Sequence, residues 1–301
     1  MIYDVIIIGA GVAGLSCAIK LRQLGKTCLV IEKSSLSAAK ACGGGITNKA
    51  LSLLSALNIH TSEFLNNDAK IITKSKQFFS DGSIKVFDYS KQPTAVKYSI
   101  GIQRNLFDTI MLNHALEAGV EIVKDYNARK IYASKYVHVD DYIGKKLVYA
   151  TGASLNTLIH SEKCIKTLGM SMNVAAEMDL SDNVYYFYID KDYCGGYAWV
   201  FPNGTDKWNV GVWQKNDFMS LRKNFENFYT NTFMSKIKHL IHEEIPKSGY
   251  IYCGNSEIYK KQNNIYYIGE CTGFASEQNG EGIYHAIFSG TSAANEMYCE
   301  L

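Results

Sequence analysis

The chain has only 3 prolines in 301 residues, no C-x-x-C pair, no long apolar run and no excess of either charge. Without a run of about 18 apolar residues, nothing in it is fit to cross a membrane as a helix. An N-terminus that enters its first strand at once leaves no room for a secretion signal, so a cytoplasmic location is expected. The cysteines, at 17, 28, 42, 164, 194, 253, 271 and 299, lack zinc-ligand spacing, so free thiols and no metal are expected. A formal net charge of +2, with no basic stripe interleaved with aromatics, argues against a nucleic-acid partner. Hydrophobic residues at 47% and charged residues at 20% are ordinary globular values, which excludes disorder and supplies a core for two closely packed domains. There is no internal repeat and no linker long enough to separate those domains.

What is present begins at once. Residues 3–33 read YDVIIIGAGVAGLSCAIKLRQLGKTCLVIEK. The run Val5, Ile6, Ile7, Ile8 suits a parallel strand buried on both faces, and it feeds into Gly9, Gly11 and Gly14 at the G-x-G-x-x-G spacing. In that pattern the first glycine makes the tight turn, the second lets backbone approach a pyrophosphate, and the third lets the next helix pack on the strand. Residues 13–24 carry apolar positions at helical period, and the N–H groups at the start of that helix would face the phosphates. Gly25 ends the helix, residues 27–31 form a second strand, and Glu32 stands at the end of that strand, where an acid can accept ribose hydroxyls. Its charge disfavours a 2′-phosphate, so FAD or NAD is expected in preference to NADP.

Downstream, Ala41-Cys42-Gly43-Gly44-Gly45-Ile46-Thr47 resists regular structure, either as a flexible loop or because backbone passes too close to a ligand for side chains. Asn48 is a candidate cap for a helix to about residue 57. Residues 69–89 look strand-like, with Asp81-Gly82 joining 76–80 to 84–88. The chain then returns through 98–103 to Arg104 and Asp108, four apart on an amphipathic helix. A strand at 120–123 and a hairpin (128–133 and 136–139) precede the strand at 146–150. Thr151-Gly152 at its end makes a second backbone turn suited to a nucleotide. Between 168 and 214 lie four short apolar or aromatic strands, read as antiparallel, with Asn203-Gly204 as the last turn. Helices are expected at 218–229 and 232–245, then strands at 250–253 and 265–268 and a final helix to about residue 298.

Six separated motifs together resemble one family. They are G-A-G-V-A-G at 9–14 with Glu32, C-G-G-G-I-T at 42–47, Arg104 before F-D, A-T-G-A-S at 150–154, Y-A-W-V-F-P at 197–202, and G-E-C-T-G-F with N-G-E-G-I-Y over 269–284. The chain resembles the flavoproteins of para-hydroxybenzoate hydroxylase fold and, within them, the FAD-dependent geranylgeranyl reductase family, over nearly its whole length. The resemblance implies an α/β fold: a Rossmann-like FAD-binding domain (1–68, 98–163 and 262–301) interrupted by an antiparallel β-sheet substrate domain (69–97 and 164–261). It implies that Glu32 holds the adenosine ribose, that Arg104 lies by the phosphate and ribityl region, and that the turn Gly280, Gly282, Ile283 sets backbone N–H groups at the pyrimidine edge of the flavin. Lys33, Ala41, Gly43, Thr151 and Gly152 are expected along the same cofactor. Glu270 replaces the usual Asp, one methylene longer, and Asn203 follows the proline where a basic residue is common. The resemblance also places Cys42 beside the flavin face, where the proton would come from Cys42, from a water or from a Tyr of the substrate sheet, or where Cys42 is simply a small buried residue; Cys194 is a second candidate thiol.

The expected activity is reduction of a carbon–carbon double bond in a prenyl-type or other apolar substrate, by hydride from reduced flavin. Tyr197, Trp199 and Phe201 alternate along a strand and so share one face, which would line an apolar substrate cavity or serve simply as core. A lipid substrate would bring peripheral membrane contact. No second dinucleotide fingerprint marks the electron donor, which leaves NAD(P)H or a ferredoxin-like reductant. Two alternatives stand beside this reading. Y-A-W-V-F-P also parallels the W-x-W-x-I-P signature of flavin-dependent halogenases, which would mean halogenase or aromatic hydroxylase chemistry, and a non-catalytic flavin-binding protein is the other.

Overall fold

The computed structural model describes residues 1–35, 40–153 and 164–301, so Ser154 of the A-T-G-A-S motif lies outside the described residues. Two eight-stranded sheets carry the chain. At the centre of the first, Ile2–Ile8 pairs in parallel with Tyr142–Tyr149 on one side and Cys28–Ile31 on the other. Glu121–Val123 and Ile265–Ile268 extend it in parallel outward on either side. Val5 and Ile7 pack beneath the helices Val12–Gln23, Arg104–Glu117 and Ile283–Glu300, while Tyr3 and Ile6 pack on the other face with Val137 and Val139 of the small hairpin. Both faces are covered, which is why the run at 5–8 shows no alternation of polar and apolar residues.

The second sheet runs in the order Ile237–Glu243, Ile165–Met178, Lys207–Gln214, Tyr197–Gly204, Val184–Ile189, Lys74–Phe79, Ile84–Asp88, with Lys247–Cys253 pairing the first half of the long strand. It is antiparallel except where Val184–Ile189 meets Lys74–Phe79 in parallel. That is a departure from the expected arrangement, because these strands come from two excursions of the chain and not from one hairpin. One face packs Val200, Val210 and Val212 against Phe225, Phe228 and Phe233. The other face carries Tyr185, Trp199, Phe201 and Trp213. A three-stranded sheet, Gly45–Ile46, Ser99–Gly101 and Lys70–Ile72, lies against that aromatic face, and the Tyr185 hydroxyl donates to the Ile100 carbonyl at 2.6 Å.

Three local expectations are corrected. Residues 232–245 are not a helix: after Leu221–Phe228 the chain takes one π turn and one 3-10 turn and then becomes the strand Ile237–Glu243. Its apolar spacing is helical, but the free edge of the 14-residue strand Ile165–Met178 offers backbone partners, and that pairing outweighs local preference. The hairpin turn is not Asn203-Gly204, which lies within a strand, but Thr205-Asp206. Asp206 takes φ of 52°, and the Thr205 N–H and hydroxyl both donate to Asp68, at 2.9 and 2.8 Å. Thr47, not Asn48, caps the second helix, its hydroxyl accepting from the Ala50 N–H at 3.4 Å. Among the described residues no helix is long and apolar enough to cross a membrane.

Candidate active site

Between the two sheets lies one continuous cavity of about 620 Å³. At one end its wall is the turn after the first strand, with Gly9, Gly11, Val12 and Ala13, joined by Glu32, Lys33, Thr151 and Gly152. At the other end are Tyr197, Trp199, Phe201 and Trp213. Between them sit Ala41, Cys42, Gly43, Arg104, Glu270, Gly280, Gly282 and Ile283. Every expected site residue lines this cavity except Gly14 and the second candidate thiol, Cys194. A Cβ at Gly14 would lie 2.0 Å from the Gly9 carbonyl oxygen, so that glycine serves the packing of helix on strand.

The cavity fits an FAD by the character of its backbone. A Cβ added at Gly11, Gly152 or Gly282 meets nothing within 4 Å, so side chains there would occupy the cavity itself. Two helices, Val12–Gln23 and Ile283–Glu300, present their N-termini to it, and neither has a side-chain cap or an acidic residue in its first turn. Free N–H groups and the positive end of each helix dipole favour a phosphate at the first and negative charge on a ring at the second.

The acidic residues are already engaged. The Ala10 N–H donates to Glu32 at 2.8 Å, and the Ser34 N–H and hydroxyl donate to its other oxygen at 3.0 and 2.7 Å. These bonds fix the carboxylate at the strand end and leave part of its acceptor capacity for a ribose. Glu270 takes an ion pair from Lys40 at 2.9 Å and a bond from the Tyr252 N–H at 3.3 Å. Lys40 carries no motif, and only the fold brings it to Glu270.

Arg104 pairs with Asp108 at 2.8 Å, as the i,i+4 spacing implies. It also faces the Cys42 sulfur. Burial works against its charge, but Asp108 and Cys42 more than offset this and raise its pKa. Cys42 is half-buried, and the Gly44 N–H reaches its sulfur at 3.4 Å. The loop is wedged against the aromatic wall: a Cβ at Gly43 would lie 2.9 Å from the Phe201 ring and 3.1 Å from the Trp199 indole nitrogen. Cys194 sits apart, beyond the end of a strand with φ of 49°, and does not line the cavity.

At the aromatic end the hydroxyls of Tyr185 and Tyr197 are committed to backbone carbonyls. Tyr197 donates to the Asn279 carbonyl at 2.7 Å, and burial, then Glu281 and Cys42, raise its pKa. Burial also lifts Tyr185 well above its ordinary value. Glu281 accepts from the Thr47 hydroxyl at 2.6 Å and so ties the glycine loop to the turn before the last helix. The Trp199 indole donates to Asn209 at 2.8 Å, and Asn209 donates to Asn173 at 2.9 Å, which locks the indole plane from behind. Gly169, Ser171, Trp213, Gly249 and Ile251 also line the cavity, and no motif points to them. The alternation W-N-V-G-V-W puts Trp213 on a shared face with Gly211 and Asn209; the others emerge only from strand register.

The FAD binding domain family matches residues 4–58, and the geranylgeranyl reductase catalytic domain matches residues 163–247. A digeranylgeranylglycerophospholipid reductase of Methanosarcina acetivorans is 25% identical over 328 residues, covering 99% of this chain and 75% of that one. Among solved structures, a geranylgeranyl bacteriochlorophyll reductase-like protein of Thermoplasma acidophilum superposes with a TM-score of 0.79 at 19% identity, covering 98% of this chain and 78% of that one. A flavin-dependent brominase superposes at 0.77 and 18% identity, covering 100% and 79%. At such identities the two structural likenesses establish the fold they share.

Proposed function

We propose that this chain, an FAD-dependent oxidoreductase whose residues 163–247 match the geranylgeranyl reductase catalytic domain, reduces carbon–carbon double bonds of a prenyl-type substrate. The observation that carries this is the single cavity joining the dinucleotide turn to the aromatic wall, with the Cys42 loop between them. Bound FAD, once reduced, supplies the hydride. The protein's own residues do the rest. Gly11 and the first helix hold the pyrophosphate, Glu32 the adenosine ribose, Arg104 and Glu270 the ribityl region, and the 280–283 turn the pyrimidine edge. Trp199, Phe201 and Trp213 pin the alkene and exclude water, which matters because an isolated alkene is a poor hydride acceptor and must be held at near-attack distance. Since Tyr197 and Tyr185 donate to carbonyls and are poor acids, Cys42 is the side chain best placed to deliver a proton to the second alkene carbon. The Arg104 guanidinium beside it would stabilise the sulfur left behind.

In this reading residues 1–68, 98–163 and 262–301 serve the cofactor, and 69–97 and 164–261 serve the substrate. Electrons come from NAD(P)H or a ferredoxin-like reductant, distinguished by which one bleaches the flavin's visible absorbance under anaerobic conditions. An apolar lipid substrate implies contact with a membrane surface. The test is anaerobic reoxidation of the reduced protein by a prenyl alkene, with the saturated product identified by mass. Reoxidation only by oxygen, with substrate-dependent oxygen consumption, would instead establish a hydroxylase or halogenase. Retained FAD with no turnover by any reductant would leave a binding protein.

A further inference from the structure

The cavity-facing side of the second sheet is divided into a bulky half and a bare half. One row across the strands runs Tyr197, Trp213, Gly169, Gly249, and the row two residues along runs Trp199, Gly211, Ser171, Lys247. Gly211 is forced to be glycine, since a Cβ there would lie 2.2 Å from the Trp199 indole. Gly169 and Gly249 are not forced. Neither has a left-handed φ, and on each the nearest neighbour of an added Cβ is at 3.7 Å, ordinary contact. Among the described glycines, only Gly11 and Gly282 share this combination of ordinary φ and free space, and all four line the cavity. Two of the four lie where the dinucleotide reading needs bare backbone. The other two face each other across adjacent strands, well away from that turn.

A second observation marks the same place. Ser171, 4% exposed, lines the cavity two residues from Gly169, and among the described residues its hydroxyl has no hydrogen-bond partner. A hydroxyl that has no protein partner and opens onto the cavity is ordinarily answered there by water or a ligand. Because Lys247–Cys253 is the outermost strand along this stretch, the bare trough runs from the aromatic wall to the margin of the sheet.

We propose that Gly169, Gly249 and Ser171 form the subsite for the extended apolar chain of the substrate, the two glycines giving it room and the Ser171 hydroxyl meeting an oxygen carried on it. This rests on the prenyl-type reading of the cavity, and it makes the glycine pair a determinant of chain length.

The FAD-loaded protein and its Gly169→Val and Gly249→Val variants are titrated with prenyl alcohols of one and of four isoprene units, following flavin absorbance and tryptophan fluorescence. Affinity for the long alcohol should fall about tenfold or more, as expected for added methyl groups in an apolar pocket, while the short one changes less than about twofold. Gly169→Ala and Gly249→Ala, whose methyl groups have room in the fold, should show the same bias more weakly and guard against misfolding of the larger variants. Ser171→Ala should weaken the long alcohol about three- to tenfold and leave the hydrocarbon of equal length unchanged. Absence of long-chain binding by the wild type, or equal loss for both lengths in the alanine variants, would overturn the subsite. Binding with the stated bias but no reduction of any chain would uphold it and remove the reductase reading.

Discussion

The two ends of the cavity are built by different means. At the dinucleotide end, the turn at 9–14, the uncapped helix Val12–Gln23 and Glu32 come from one unbroken stretch, and neighbours in sequence are neighbours in space. At the aromatic end, Tyr197, Trp213 and Gly169 come from three strands, and Gly249 arrives on a fourth, long after its partner Gly169 in the chain. The first is a local device whose failure should be all or none. The second is a mosaic set by register, and its parts should fail separately.

Breaking the local device should give the largest effect. Gly11→Leu puts a side chain into open cavity, so the protein should fold and emerge colourless, checked by absorbance and by circular dichroism. Gly14→Ala should instead prevent folding, because its Cβ would lie 2.0 Å from the Gly9 carbonyl. If Gly11→Leu retained flavin, the assignment of that turn to pyrophosphate would be wrong. Next comes the meeting point of the two ends. Cys42→Ser should slow alkene reduction by about 10²–10⁴-fold, the usual range for a lost general acid, with flavin reduction by an artificial donor unchanged. Unaltered turnover would leave Cys42 a loop residue chosen for its size.

On the mosaic side, Trp199→Phe should lower kcat/KM for the alkene by about tenfold, within the range for a few lost contacts in an apolar pocket, while flavin content stays constant. Equal loss of flavin would mean that the wall supports the cofactor instead. Trp199→Ala is the poorer variant, since deleting a buried indole costs about 3–5 kcal/mol of stability. The smallest effect concerns the rim of the first sheet, where Glu300 accepts from Tyr266 at 2.9 Å and pairs with Lys146 and Lys261. Burial opposes its charge, but these partners outweigh it and lower its pKa to about 2. A depressed carboxylate stabilises the fold above its unfolded value, and that contribution disappears as pH falls from the ordinary Glu range toward about 2. Glu300→Gln should therefore flatten the acid limb of a thermal-midpoint profile, by about 1 kcal/mol at most after solvent screening.

The same contrast explains what can be read from the chain. Residues 3–33 announce strand, turn, helix and acid because each signal lies close in sequence to the next. The Arg104–Asp108 pair is legible for the same reason. The spacing of 237–243 misleads because the partner edge, Ile165–Met178, is separated from it by three intervening strands and a helix, and local spacing says nothing of it. The Thr205-Asp206 turn is hidden from local reading because Asp68, the acceptor that holds it, follows a distant helix. Gly169 and Gly249 look like ordinary strand glycines until register sets them face to face.

Ile237–Glu243 is also an outer strand with Leu240 and Ile241 exposed, followed by exposed Ile245, the kind of free edge on which a second chain could continue the sheet. Three features blunt it: Lys238, His239, His242 and Glu243 crowd the strand, its register slips twice against Ile165–Met178, and Pro246, which has no N–H to offer, interrupts it before Lys247–Cys253 begins. Pro246, one of 3 prolines in the chain, thus breaks the row of N–H donors along this edge.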